Sequence, residues 1–241
     1  MKIRGDRECQ SCGTRWSYYD TGSVECPQCG SLRSVGVDDR TEHTASAVTL
    51  DLTEVRDRID DDPLSDLATD AAERCREYVR QQGFIDAGDL RALDDTYLAA
   101  LELVHAAAEL DHSMRVDDDE EYYVLDLLRG ADRGERPGPS AVPASMRAAR
   151  GLAYARAVGD YHDDLRTYLD GDHDELARDL LGSLAEHRKR VEALDGDVSL
   201  ADSEALIGAA QAVGHYLAEG DENALAQARH HLDNLDPDPR S

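Results

Sequence analysis

The 241-residue chain is nearly free of lysine: Lys2 and Lys189 are the only two among 26 basic residues, so almost every cation is an arginine. It has no apolar run near the eighteen or so residues a membrane-spanning helix needs, and no membrane partner is expected. Its start, MKIRGDREC, lacks the apolar core of a signal peptide, and a cytoplasmic location follows as an expectation. There is no glycine-rich phosphate loop and no G-x-S-x-G elbow, which removes two common nucleotide and hydrolase chemistries. No feature specifically supports an enzyme, and none is expected. After residue 50 there is no strand signal either.

Acid is what the chain has in excess. Fifty-two acidic residues, aspartate well ahead of glutamate, give a formal net charge of −26. A disordered tail can be this acidic, but periodic Leu, Val, Ala and Tyr run through the acidic region, and 41% hydrophobic residues are enough to build a core. The pattern predicts a folded, acidic protein. Lysine-poor acidic surfaces suit a salt-loving cytoplasm, where repulsion between like charges is screened within about 3 Å at 1 M salt.

The charge is unevenly placed. Residues 1 to 40 hold Lys2, Arg4, Arg7, Arg15, Arg33 and Arg40 against Asp6, Glu8, Asp20, Glu25, Asp38 and Asp39, so the whole excess falls after residue 40. The expected division is a metal ribbon over 1–38, a linker over 39–50 and an acidic all-helical domain over 51–236.

One stretch has a spacing that dictates chemistry. In CQSCGTRWSYYDTGSVECPQCG, Cys9-x2-Cys12 and Cys26-x2-Cys29 form two pairs, each followed by a glycine, Gly13 and Gly30. A C-x2-C turn points two thiolates at one ion, and glycine after the second cysteine permits a backbone conformation that a side chain would hinder. Two such turns close a tetrahedral four-thiolate site, and in a cytoplasm such cysteines are metal ligands rather than disulfides. With all four positions filled by protein, a structural Zn2+ is expected. Iron is the alternative, since CxxCG…CPxCG also resembles the rubredoxin-like domain of rubrerythrins, which implies electron transfer. Between the knuckles, TRWSYYDTGSVE reads as a β-hairpin, and SLRSVGV as a third strand. So small a module folds on its metal.

A rubrerythrin would add a di-iron helical bundle. Glu102-x-x-His105 and Glu109-x-x-His112 have the right spacing, but both lie on one helix, whereas a di-iron bundle needs a copy on each of two. The wheel places both histidines on a packing face beside Leu101, Val104 and Ala108, satisfied by acidic neighbours, with Glu102 and Glu109 at its flank.

The remainder reads as helices: 52–59, 63–82, the longest and most apolar one opened by Asp89 and expected to be central, another ending at Gly130, then, after a Gly/Pro-rich loop, 143–169, 172–194, 200–218 and 222–235. Cys75 is expected in the core. The sets Asp160, His162, Asp163 and Asp172, His173, Asp174 read as caps and solvated helix starts. AYARAVGDYHDDLRTYL (153–169) and HYLAEGDENALAQARHHLDNLDP (215–237) resemble the Gly-Asp turn and second helix of tetratricopeptide repeats, which implies stacked helical hairpins presenting a surface to a partner. The expected fold is therefore mainly α, with a small N-terminal β zinc ribbon.

As a whole, RECQSCGTRWSYYDTGSVECPQCGSLRSVGV followed by acidic helices resembles a family of salt-loving archaea labelled TFIIB-type zinc ribbon-containing proteins. In transcription factor B the ribbon contacts RNA polymerase; here Cys9, Cys12, Cys26 and Cys29 match the ligand pattern, while cyclin-like repeats and a basic DNA-reading helix are not visible. The expected function is an interaction or adaptor module with a protein partner, using Arg4, Arg7, Arg15 and Arg33 interleaved with Tyr18 and Tyr19. Binding of nucleic acid or polymerase through the ribbon is the alternative.

Overall fold

The computed structural model describes residues 1–112, 115–170 and 173–235. The side chain of His112, Asp172, and the Asp236 and Pro237 that close the second repeat-like segment and the expected helical domain lie outside the described residues.

The N-terminal part is built from very short strands. β1 (Lys2–Ile3) pairs antiparallel with β5 (Thr41–Glu42), while β2 (Asp6–Cys9) lies between β3 (Arg15–Ser17) and β4 (Ser34–Gly36), antiparallel to both. The expected strand after Cys29 is present as β4. The expected hairpin within 14–25 is not. The first knuckle itself turns the chain, so β2 doubles back on β3, and Tyr18–Thr21 coil into one helical turn, α1. Ser17 Oγ caps that turn by accepting from Asp20 N, and Gly22 ends it at φ 62°, so the Thr-Gly pair closes a helix rather than a hairpin.

Residues 39–50 tie the β unit to the helices. Beyond β5, the N–H groups of Thr44 and Ala45 both donate to Ile85 O, at 2.8 and 2.9 Å, and Thr44 Oγ1 donates to Asp164 Oδ2 at 2.6 Å. Ile85 belongs to a small hairpin, β6 (Ile85–Asp86) and β7 (Asp89–Leu90), with Ala87 at φ 55° and Gly88 at φ 94°. Two successive left-handed residues are the signature of a tight hairpin turn. Strands therefore do occur after residue 50, and Asp89 lies in one of them instead of opening a helix. Two-residue strands leave no periodicity to read.

The helices are α2 (Thr53–Arg56), α3 (Leu64–Gln81), α4 (Asp95–His112), α5 (Asp118–Gly130), α6 (Arg147–Tyr168), α7 (Glu175–Ala193), α8 (Leu200–Glu219) and α9 (Glu222–Leu235), with short 3-10 turns between α5 and α6. Their starts are legible in the capping residues. Asp117 and Glu120 form a reciprocal capping box before α5, Asp174 accepts from Ala177 N before α7, and Ser199 accepts from Asp202 N before α8. Asp174 thus acts as the expected cap.

Neighbouring helices pack in pairs, α3 with α4, α6 with α7 and α8 with α9, and the pairs meet through α4 against α6 and α6 against α8. One continuous apolar cluster runs from Leu50 to Leu235. In α4 every residue from Tyr97 to Val104 is buried, so this helix packs on all sides, against α3, α5 and α6. At 18 residues it is central but not the longest, since α6 has 22. Gly220 at φ 70° turns α8 into α9 as the repeat-like pattern requires, but Gly159-Asp160, its supposed counterpart, lies in mid-α6 and makes no turn.

Candidate metal centre

Cys9, Cys12, Cys26 and Cys29 converge, their sulfurs all within 4.8 Å of one another. The two knuckles are built alike. Gly13 N donates to Cys9 O and Gly30 N to Cys26 O, both at 2.9 Å; Cys9 N donates to Thr14 O at 2.9 Å and Cys26 N to Ser31 O at 3.0 Å. Gly13 (φ 74°) and Gly30 (φ 69°) are left-handed, the role expected of the glycine after each pair. In each knuckle the first cysteine is buried and the second exposed.

The sulfur spacing fits a tetrahedral ion. Metal–sulfur bonds of about 2.3 Å put ligand sulfurs about 3.8 Å apart. Cys9 Sγ and Cys29 Sγ are 3.7 Å apart, and Cys12 Sγ and Cys26 Sγ 3.6 Å. Despite a Ser31 backbone donor, the thiols crowding Cys29 push it up to about 12, while Ser11 N donates to Cys9 Sγ at 3.4 Å and the Thr14 hydroxyl, with its backbone N–H, draws the Cys12 thiol down to about 6. These donors favour thiolates, the form a metal binds. The four cysteines can hold one ion and leave it no open position.

The six residues expected at an interaction surface separate into distinct environments. Arg15 is exposed and reaches across the sheet to Glu8 at 2.6 Å, as the β2–β3 register dictates. Arg33 is exposed near the second knuckle. Tyr19 is an internal strut: its hydroxyl contacts Thr41 Oγ1 at 2.6 Å, its ring packs on His43 at 4.7 Å, and a side chain at Gly5 would collide with it. Arg4, Arg7 and Tyr18 come together on one groove, shared with Lys2 and Arg40. Trp16, half-buried, donates from Nε1 to Ser23 O at 3.0 Å.

In the helical part the structure corrects three readings. Glu102 is not at a flank but wholly buried, because its face of α4 turns toward α5 and α6. It accepts from Tyr123 Oη and from Tyr154 Oη (3.0 Å) and lies 3.4 Å from Arg150, itself fully buried. Arg150 continues to Glu204 at 2.6 Å, which also takes Arg136 at 3.1 Å, and both guanidiniums sit over the Tyr154 ring. Burial pushes the Glu102 carboxyl up, and Arg150 opposes that shift. This network was missed. Its only trace is a carboxylate inside the apolar run LAALELV.

His105 is not satisfied by acidic neighbours: its Nε2 is buried without a hydrogen-bond partner, and burial, aided by Arg156 and Arg76, holds its pKa down to about 4. Glu109 stays within the same helix, so no second Glu-x-x-His helix faces it. Asp160, His162 and Asp163 are in mid-α6 rather than at a helix start; Asp160 accepts from Tyr97 Oη at 2.9 Å and His162 is buried against Leu181 O. Cys75 is fully buried, its thiol pushed up to about 12 by that burial.

Fold and site together define a class: a four-cysteine, metal-competent β unit joined to a mainly helical body. The chain belongs to a family of unknown function, DUF7117, whose model matches residues 1–232, from β1 into α9. No curated protein and no solved structure matches it.

Proposed function

We propose that this protein is a non-enzymatic interaction module in which a TFIIB-type zinc ribbon, stabilised by one structural Zn2+ on Cys9, Cys12, Cys26 and Cys29, presents a surface to a protein partner in a salt-rich cytoplasm. The observation that carries the reading is the closed site: four thiols from two matching knuckles surround one point and leave no ligand position for water or substrate, which is the arrangement of structural rather than catalytic zinc. The metal's contribution is to hold the knuckles. The family match through both parts of the chain supports a ribbon that works together with its helices.

Salt supports the choice of a protein partner over nucleic acid. Each phosphate contact releases counterions, so grip on a nucleic acid weakens steeply as salt rises, whereas burial of apolar surface does not. Metal analysis of the purified protein is expected to return about one zinc per chain. Affinity capture from lysate at about 1 M KCl is expected to retain a nuclease-resistant partner. A red, iron-loaded protein would overturn the zinc assignment in favour of electron transfer, and nucleic acid held at that salt would overturn the protein partner. Loss of helical circular dichroism on desalting to about 0.1 M, recovered by KCl, is the expected mark of a halophilic body; equal stability in both would remove that part.

A further inference from the structure

A protein with two acids for every base has little reason to leave cations unmatched. Most arginines of the helical body are matched: Arg56 to Asp132, Arg58 to Asp70, Arg74 to Glu54, Arg136 and Arg150 to Glu204, Arg188 to Glu192. Where the β unit meets the body, the arrangement is different. A groove of about 610 Å³ is walled by Lys2, Arg4, Arg7 and Arg40, and among the described residues no aspartate or glutamate lines it. Among the described residues none of these four forms an ion pair. Arg7 spends its guanidinium on Ser34, at 3.0 Å to Oγ, and Arg4 reaches only Gly36 O. Ile3, Tyr18, Val24 and Ala45 supply apolar wall between the cations.

From this we infer that the groove binds an acidic peptide segment of the partner, one that alternates carboxylates with apolar side chains. The inference rests on the interaction-module reading above and specifies where and what that module binds. Its volume is within the range of a ligand site. Charge complementarity selects a carboxylate-bearing occupant, since among the described residues Arg4 alone of the four cations has an acid close enough to feel it, Asp38 outside the groove, and such a cluster is costly to keep together unless an anion arrives. The apolar wall selects a peptide over a bare anion. A nucleic acid needs cations spread along several phosphates, but beyond Lys2 and Arg40 the neighbouring hollow sets Glu42, Asp163 and Asp170 against one further cation, Arg166. At about 1 M salt attraction reaches only some 3 Å, so the groove acts through direct contacts, for which the planar arginine fork is suited.

The probe is a fluorescein-labelled Asp-Leu-Asp-Asp-Leu-Asp peptide, followed by anisotropy with the full, metal-loaded chain in about 1 M KCl. Saturable binding is expected, with the Asn-for-Asp peptide weaker by about tenfold or more. The double variant Lys2→Gln, Arg40→Gln, whose side chains are exposed, should keep metal and helicity and lose about tenfold in affinity. No binding, equal binding of the Asn peptide to the unaltered protein, or unchanged affinity in the double variant would each overturn the inference. So would displacement of the peptide by a single-stranded oligonucleotide at the same salt. A partner that still co-purifies with the double variant would leave the interaction module standing and remove the groove from it.

Discussion

The β unit and the helical body solve the same problem by opposite means. Residues 1 to 40 are electrically balanced, and Cys9, Cys26 and Gly5 are the buried residues among them. That is too little apolar surface to fold alone, and an ion held by the four cysteines would do what a core does. The body carries the whole −26, yet buries one apolar cluster from Leu50 to Leu235. A small region can therefore be fixed by four ligands at the right spacing, while a large one is fixed by packing and by how its few buried charges are matched.

Removing the metal should separate the two most sharply. Cys26→Ser, or chelation of the unaltered protein, is expected to cost the β unit its metal-linked folding free energy, on the order of 10 kcal/mol, while leaving helical circular dichroism largely in place. Trp16 is the single tryptophan and lies in β3, so its fluorescence reports on that unit alone. Coincident loss of tryptophan and helical signals would show that the body also depends on the ion, through the contacts of Thr44 and Ala45 with Ile85.

The body's counterpart of the metal is the buried network. Glu102→Leu leaves Arg150 enclosed with Glu204 as its remaining acidic partner beside the Pro137 carbonyl, and should destabilise the protein by about 3 kcal/mol in denaturant titrations at high KCl. Replacing Glu102 and Arg150 together by Gln and Met should restore most of that loss, because the cost is the unmatched charge. If the single variant is as stable as the parent, the network is not what aligns α4 with α6.

A third difference is acid sensitivity. The folded pKa of His105, about 4, lies below its unfolded value of 6.5, so the unfolded chain binds more protons between those limits. The stability this neutral imidazole contributes is complete above pH 6.5 and lost as pH falls toward 4, up to about 3 kcal/mol. His105→Leu should flatten that part of the profile. Some loss would persist, since burial also holds His43 and His162 low. An unchanged slope between pH 6.5 and 4 would refute the assignment.

The smallest effect is expected at Arg15→Gln, which removes an ion pair to Glu8 whose arginine is 73% exposed. Exposed pairs are offset by side-chain entropy and screened by salt. The melting temperature should not move measurably, and a clear drop would mean that surface charge shares the metal's task in the β unit.

The sequence by itself determined the four-cysteine cluster, because a C-x2-C-G turn is local chemistry: the same few residues supply the thiols, the left-handed glycine and the bonds that close the knuckle. It determined most helix bounds too, since capping by Asp117, Asp174 and Ser199 and the apolar spacing are also local. Tertiary structure decided the rest. Glu102 looked like a flank residue because a helical wheel knows only its own helix, whereas α5 and α6 close over that flank and bring Tyr123, Tyr154 and Arg150 to it. Ala87-Gly88 becomes a hairpin only because Thr44 and Ala45 take the carbonyl of Ile85 beside it. The cationic groove is the plainest case. Lys2, Arg4, Arg7 and Arg40 could be counted in the sequence, but their place on one acid-free wall depends on pairing β1 with β5 and β2 with β4, contacts that join residues twenty-five or more positions apart.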